Sequence, residues 1–466
     1  MNSLNWGALC LRSLWVLSVA LSFGFGLWHH WGFRAKEERL KKAFKLGMGA
    51  CWVLSFGLFV HLLRGPSELV KVSFGDWIQS GSFSFRLDAI VDLFQASVLV
   101  MVHLLLFVIV RFAATYLHRD PGYQRFLTLL MLFQNSILIV VTADHFDFLV
   151  FGWELMGLVS VLLIGFFSEQ YGAGRQSFRT FMNYKFADIG MILAAVLLHD
   201  FHKDLAFETL PQFVTSLHEQ EQWTLLTLVG GCLIFGSLAK GGLIPFSSWI
   251  PRAMEGPTPS SALFYGALSV HMAPLLLLRT QALWQWSSGL RWTLGGIGVA
   301  TALSASFTAK TCANIKGQLG YWVMAHIGLI YGELALGWGN IAAVHMLLHA
   351  CVRILQFMRS PSLLQDTHDQ PSLLASPSRK AWMSWRSSSY LQRCYVHAWN
   401  GFYVEAFLHV IIIKPVLALA SFCHWLMAPI FFREREFRAI SGVSRLPDSG
   451  FAVGLAKARR RFFEWK

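Results

Sequence analysis

Charged side chains are scarce in this 466-residue chain: they make up 14%, against roughly 25% in a soluble domain, while hydrophobic residues reach 55%. That ratio excludes a single water-soluble globule and implies a membrane protein. An organised cysteine pattern is also missing. Cys10, Cys51, Cys232, Cys312, Cys351, Cys394 and Cys423 stand far apart, with no CxxC and no Cys/His spacing for zinc, so neither a disulfide framework nor an iron–sulfur cluster is indicated. No GxGxxG follows a strand, no Walker loop occurs and no haem-type histidine pair stands out, so no cofactor is expected in this chain. Its energy must come from an ion gradient or from a partner. Acidic residues number 26 against 39 Lys and Arg, a net +13. With apolar runs this long, that excess orients loops toward an anionic leaflet rather than binding nucleic acid.

What is present is helix-length apolar sequence. About 20 apolar residues cross a bilayer, and eleven candidates meet that rule, near 9–29, 47–63, 89–111, 125–143, 147–167, 179–198, 223–245, 260–283, 292–309, 319–337 and 340–358. No basic stretch precedes the first and no small-residue cleavage site follows it, so it is read as a retained span. The expected fold is an all-α polytopic membrane protein with about 11–12 transmembrane helices, in the cell inner (plasma) membrane. FRAKEERLKKAFK carries six basic and two acidic residues, which places that loop inside and the N-terminus outside. Loops near Arg119, Arg175, Arg252, Lys310 and Arg359 then fall inside, and the acidic 199–222 segment outside. The tail from Arg433, with nine basic and four acidic residues, should also lie inside. Parity then favours residues 405–432, interrupted by His409, Lys414, Pro415 and His424, as an interfacial or re-entrant segment rather than a twelfth crossing.

A charge at the bilayer centre costs at least ~2.5–3.5 kcal/mol, so every ionisable residue in a span needs a partner, water or a function. Glu154 lies in FGWELMGLVSVLLIGFF; Lys185 and Asp188 are three apart in RTFMNYKFADIGMIL, where they are expected to neutralise each other in part. Lys240 ends the apolar run WTLLTLVGGCLIFGSLA and is followed by Gly241, Gly242 and Pro245, which open a helix. A lysine there either switches its proton as a carboxylate such as Glu154 approaches or holds a static interhelical ion pair. Pro257 and Pro259 interrupt the next span, which also carries His271. His345, His349 and Arg353 recur at i, i+4, i+8 and line one helix face, suggesting a hydrated proton path. No glutamate of a zincin motif and no third ligand accompanies HMLLH, so no metal is assigned. Single interhelical hydrogen bonds account for His103 and His326, and Glu333 has no evident partner.

LHRDPGYQRFLTLLMLF, FGWELMGLVSVLLIGFF, AKGGLIPFSSWIPRAMEGPTPSSALFYGALSV and TAKTCANIKGQLGYWVMAHIGLI together resemble the proton-conducting, antiporter-like subunits of respiratory complex I, above all the largest, over residues 85–358. The resemblance implies an inverted-repeat fold with broken helices. It also implies a proton path through Glu154, Lys240, Lys316, His345 and His349; Lys185, Asp188 and Arg353 are read beside that path as supporting charges. Two family positions are substituted: Tyr265 stands where many relatives have histidine, and Arg353, which holds its proton, where they have lysine. Between residues 358 and 400 the family's next helices are omitted, and NGFYVEAFLHVIIIKPVLALA resembles the segment beyond them, so the second half is truncated.

A shortened relative of the large subunit without its long lateral helix resembles DabB, the membrane subunit of DAB inorganic-carbon pumps. That implies a heterodimer in which this chain conducts protons or another cation and a large soluble zinc protein, DabA-like and similar to β-carbonic anhydrase, sits on the cytoplasmic side. Zinc and catalysis would belong to that partner. The expected organisation is N-terminal helices with a hairpin-like external loop (1–84), the conducting core (85–358), a cytoplasmic loop (359–400) and an interfacial helix with a basic tail (401–466). Competing readings are a subunit of a complex I-like NADH:quinone oxidoreductase, an Mrp-type Na+/H+ antiporter subunit, or a non-conducting scaffold.

Overall fold

A computed structural model describes residues 6–30, 37–65, 69–80, 83–167, 169, 171–201, 206–312, 314–360 and 389–431. Most of the loop expected over 359–400 and the whole tail from Arg433 lie outside the described residues, as do 31–36 and 202–205. The chain divides into two units, Met1–Ala406 and Phe407–Lys466.

In the first unit the apolar runs form helices that pack pairwise. They are α1 (Trp6–His30), α2 (Glu37–Arg64), α3 (Leu93–Tyr116), α4 (Tyr123–Thr142), α5 (Phe146–Ile164), α6 (Tyr171–Phe201), the short α7 (Leu210–Glu219) and α8 (Trp223–Gly241). Between α2 and α3, strands β1 (Val70–Ser80) and β2 (Phe83–Val91) form an antiparallel hairpin with Val70 opposite Val91. Asp92 starts α3 with a reciprocal cap: its carboxylate accepts from the Gln95 amide at 2.6 Å, and the Gln95 side chain accepts from the Asp92 amide at 2.8 Å. α8 stops because Gly242 turns left-handed (φ +67°), a conformation other side chains resist.

The proline-interrupted span expected near 260–283 is continuous only in outline. α9 (Thr258–Ser261) passes into a wide π-type turn (Ala262–Ala267), one tight turn (Ser269–His271) and α10 (Met272–Arg279). Nearly all of it is buried, so its loosened backbone faces protein rather than lipid. After α11 (Gln281–Trp284) come α12 (Ser288–Thr311), α13 (Ile315–Ala335) and α14 (Gly339–Arg359).

Among the described residues ten helices are long and apolar enough to cross a membrane, and the protein is a multi-pass inner-membrane protein. The spans expected at 292–309 and 319–337 are helices of crossing length, α12 and α13, but fall outside those ten. Their composition explains this: glycines dilute the apolar character, and a methyl added to Gly298 or Gly328 would strike the other's backbone carbonyl. Small residues there serve close helix packing rather than lipid contact. Residues 401–423, expected to lie along the interface, do count among the ten. Before the unit boundary come α15 (Ser389–Trp399) and, within α16 (Val404–Leu408), Glu405. The Glu405 carboxylate accepts from Arg179 of α6 at 2.6 Å and is also paired with Arg252. The second unit begins as helix, widens into a π-type turn at His409–Ile413, where the sequence meets Lys414–Pro415, and continues as α17 (Lys414–Phe431).

Candidate functional site

The charges of α5, α6 and α8 meet in the interior as two ion pairs. Lys185 of α6 is paired with Glu154 of α5, both side chains being partly exposed. One turn further along α6, Asp188 Oδ1 lies 2.9 Å from Lys240 Nζ, and both residues are buried, Lys240 completely. The expected pairings are therefore exchanged. Lys185 and Asp188 share a helix without pairing to each other, and the carboxylate on Lys240 is Asp188 rather than Glu154. Three residues apart, the two side chains diverge by only about 60° around α6, yet Lys185 meets α5 and Asp188 meets α8.

The surroundings of Lys240 are built to hold a cation without water. The Trp153 indole N–H donates to the same Asp188 Oδ1 at 2.8 Å, and Lys240 Nζ sits 4.4 Å from the Trp153 ring centroid and 5.0 Å from that of Tyr184. Gly157 of α5 leaves the room, since a side chain there would meet the ammonium. Asp188 Oδ2 is buried without a hydrogen-bond partner. Its second oxygen is thus available to another donor.

Beyond α8 the broken segment carries the next contacts. Lys316, entering α13 beneath the Asn314 cap, donates to Thr258 Oγ1 at 2.8 Å, and Thr258 lies 3.2 Å from the Tyr116 hydroxyl. Thr258 is the threonine of Gly-Pro-Thr-Pro, so that motif holds a hydroxyl against the lysine. The backbone of Tyr265 lies in the π-type turn; its side chain falls outside the described residues.

Four histidines from three segments converge farther on. His345 of α14 has Nδ1 2.8 Å from Glu333 Oε1 and Nε2 3.1 Å from Nδ1 of His326 on α13. The His326 ring stacks on His349 at 4.7 Å and 17°. His349 Nδ1 lies 2.8 Å from Nε2 of His271, and Arg353 Nε donates to His349 Nε2 at 2.9 Å. That last contact orders the protons, because guanidinium only donates. His349 Nε2 must accept, its proton sits on Nδ1, and it donates to His271 Nε2. A doubly protonated His349 could not take the Arg353 hydrogen bond.

His326, read from sequence as a lone hydrogen-bonding histidine, is therefore the link between His345 and His349, and Glu333 has His345 as its partner. Helical spacing alone assigns no role to His271, Trp153 or Thr258. Four histidines in three neighbouring apolar segments was the available signal, and periodicity within one helix could not reveal it. His103 does stand apart, bonded to Ser55 Oγ at 2.9 Å.

Residues 143–377 match the family model "NADH:quinone oxidoreductase/Mrp antiporter, TM", and residues 77–127 match the complex I chain 5 N-terminus. NADH-quinone oxidoreductase subunit L of Pseudomonas aeruginosa is 31% identical over 366 residues, covering 76% of this chain and 57% of that protein. The probable inorganic carbon transporter subunit DabB1 of Halothiobacillus neapolitanus is 27% identical over 351 residues, covering 75% and 59%. The chain thus spans little more than half the length of these relatives. Among solved structures, a chain of the Mrp complex from a Dietzia species superposes with a TM-score of 0.62 at 20% identity, over 75% of this chain and 37% of that one, a likeness of fold.

Proposed function

We propose, from the premise that the chain belongs to the NADH:quinone oxidoreductase/Mrp antiporter transmembrane family, that it is the proton-conducting membrane subunit of an energy-coupled inorganic-carbon (CO2/bicarbonate) uptake pump. The observation that carries the conducting part of this reading is the fully buried Lys240–Asp188 pair at the end of a broken helix. Asp188 has one oxygen unshared, and Lys185 stands one turn away on the same helix. Protonation of Glu154 releases Lys185, which can then swing to Asp188 and compete with Lys240 for it. An ammonium stripped of its carboxylate in a dry site hands on its proton. Lys316 with Thr258, and then the His271, His349, His326 and His345 cluster ending at Glu333, continue the line. Arg353 serves as a fixed charge that orders the cluster. A cation other than the proton would have to replace these proton-bearing side chains with oxygen ligands.

The carbon-pump part rests on the DabB1 relative and on the omission between residues 358 and 400 of helices present in the large complex I subunit. The relatives are subunits of multi-subunit membrane complexes, and the partner proposed here is a large soluble zinc protein like β-carbonic anhydrase on the cytoplasmic side. The alternative, a proton-pumping subunit of a complex I-like oxidoreductase or an Mrp-type Na+/H+ antiporter, draws on the subunit L relatives and the Mrp fold match.

Purification from native membranes in mild detergent separates these readings. A zinc-bearing soluble protein at near-equal amount, with bicarbonate uptake abolished by Lys240→Ala in an assembled complex, is the expected result. Flavin or iron–sulfur absorbance, sodium-dependent proton exchange, or wild-type uptake in Lys240→Ala overturns it.

A further inference from the structure

At the end of the bundle that the basic-loop pattern assigns to the exterior, three backbone segments are stitched together. Ala89 of β2 bridges Ala143 in the α4–α5 connector, and the Asp144 amide donates to the Asp88 carbonyl at 2.9 Å. On its other side the connector bridges through His145 to Ala206, and the Phe207 amide donates to the Asp144 carbonyl at 2.7 Å. Arg279 braces the connector by donating to the carbonyls of Val140, at 2.7 Å, and Ala143.

This arrangement gathers Asp88, Asp144 and His145. One potential ligand atom from each lies within 4.8 Å of the others, and all three residues are buried, Asp144 completely. Their polar atoms are not all accounted for: Oδ1 of Asp88 and Oδ1 of Asp144 are buried with no hydrogen-bond partner. Two carboxylates with bare oxygens in one dry site repel each other, and native proteins pair such groups or bind a cation. His145 Nε2 lies 3.3 Å from Asp88 Oδ2. Two cations offset Asp144: the buried Arg279 that braces the connector, and Lys71 of β1, 2.8 Å from Asp144 Oδ2. Lys71 is 44% exposed and equally close, at 2.8 Å, to Glu208.

We propose that Asp88, Asp144 and His145 form a binding site for a divalent transition-metal ion, with Zn(II) the best match. An imidazole beside two carboxylates suits zinc better than calcium or magnesium, and three protein ligands leave one position for water. Bonds of about 2.0–2.1 Å at a tetrahedral centre put ligands roughly 3.3 Å apart, so atoms now within 4.8 Å of one another close by at most about 1.5 Å around the ion. The backbone stitching needs no change. Lys71 is the ion's competitor and moves wholly onto Glu208 when the metal takes Asp144. His145 immediately precedes α5, the helix of Glu154, so the bound ion ties the entrance of that helix to the external hairpin.

The test uses the full chain in detergent, carrying a histidine-free tag and stripped of metal, titrated with zinc chloride and read by equilibrium dialysis and thermal melting. One saturable zinc per chain, with a raised melting midpoint, is expected. Asp88→Asn and Asp144→Asn should weaken binding on the order of a hundredfold. Lys71→Met removes the competitor and should tighten it roughly fivefold, a gain that misfolding cannot mimic; Glu208→Gln, which leaves Lys71 on Asp144, should loosen it. Absence of saturable binding overturns the proposal. So does zinc binding indifferent to Asp144→Asn and Lys71→Met, which would belong to other histidines, or equal stabilisation by magnesium.

Discussion

Between α5 and α8 the charges inside the bundle are matched two by two, Glu154 with Lys185 and Asp188 with Lys240, whereas among α13, α14 and the broken segment one carboxylate and one guanidinium enclose four imidazoles. The first region stores charge in pairs that can exchange partners, because Asp188 is within one helical turn of a second lysine. Under the proposed function the second would relay protons from imidazole to imidazole by tautomer change, between the Glu333 carboxylate at one end and the Arg353 guanidinium at the other. The stack of His326 on His349 is the one link there made by ring faces rather than by a hydrogen bond. A proton crossing that point needs a ring rotation or a water.

The largest expected effect breaks the first region. Lys240→Met strands the buried Asp188 carboxylate and should destabilise the fold by ~3–5 kcal/mol, as for other broken buried pairs. Adding Asp188→Asn should restore the melting temperature without restoring proton conductance in vesicles; conductance in the double variant would remove the pair from the path. Next is Arg353→Met, which leaves His349 Nε2 without its donor at ~1–3 kcal/mol. Nitrogen-15 NMR of labelled histidine should then find His349 in mixed tautomers. An unchanged single tautomer would mean that Arg353 does not order the cluster. Lys316→Met removes the hydrogen bond to Thr258 and should cost about 0.5–1.5 kcal/mol in melting experiments while lowering conductance. The smallest stability change belongs to Glu154→Gln, whose pair with Lys185 is partly exposed and so worth at most ~1 kcal/mol after solvent screening. Its conductance should nonetheless be lost. That divergence between stability and transport is the sharpest contrast with Lys240, and full conductance in Glu154→Gln would erase it.

The helical membrane fold was legible because every crossing leaves an apolar run, and even the weakly apolar α12 and α13 were placed within a few residues. The hairpin's pairing was not, since register depends on partners distant in the chain. Lys240 announced itself as a lysine ending an apolar run before glycines. Its partner did not, because helical spacing reports neighbours on one helix and says nothing of which adjacent helix a side chain meets. The same limit hid His326 and His271: each is the lone histidine of its own segment, and only the packing of α13, α14 and the broken segment makes them a cluster. Trp153 stood beside Glu154 in full view. Its indole N–H, aimed at Asp188, is a tertiary contact with no sequence signature.

The Lys240–Asp188 pair also bears on how the protein is made. Asp188 is synthesised 52 residues before Lys240, which at roughly 5–20 residues per second is an interval of about 3–10 s. During that time the only nearby countercharge for Asp188 on α6 is Lys185, one turn away, and an unpaired carboxylate at the bilayer centre costs at least ~2.5 kcal/mol. Joint entry of α6 and α8 carries both charges into the bilayer as a neutral pair, whereas entry of α6 alone leaves Asp188 to Lys185.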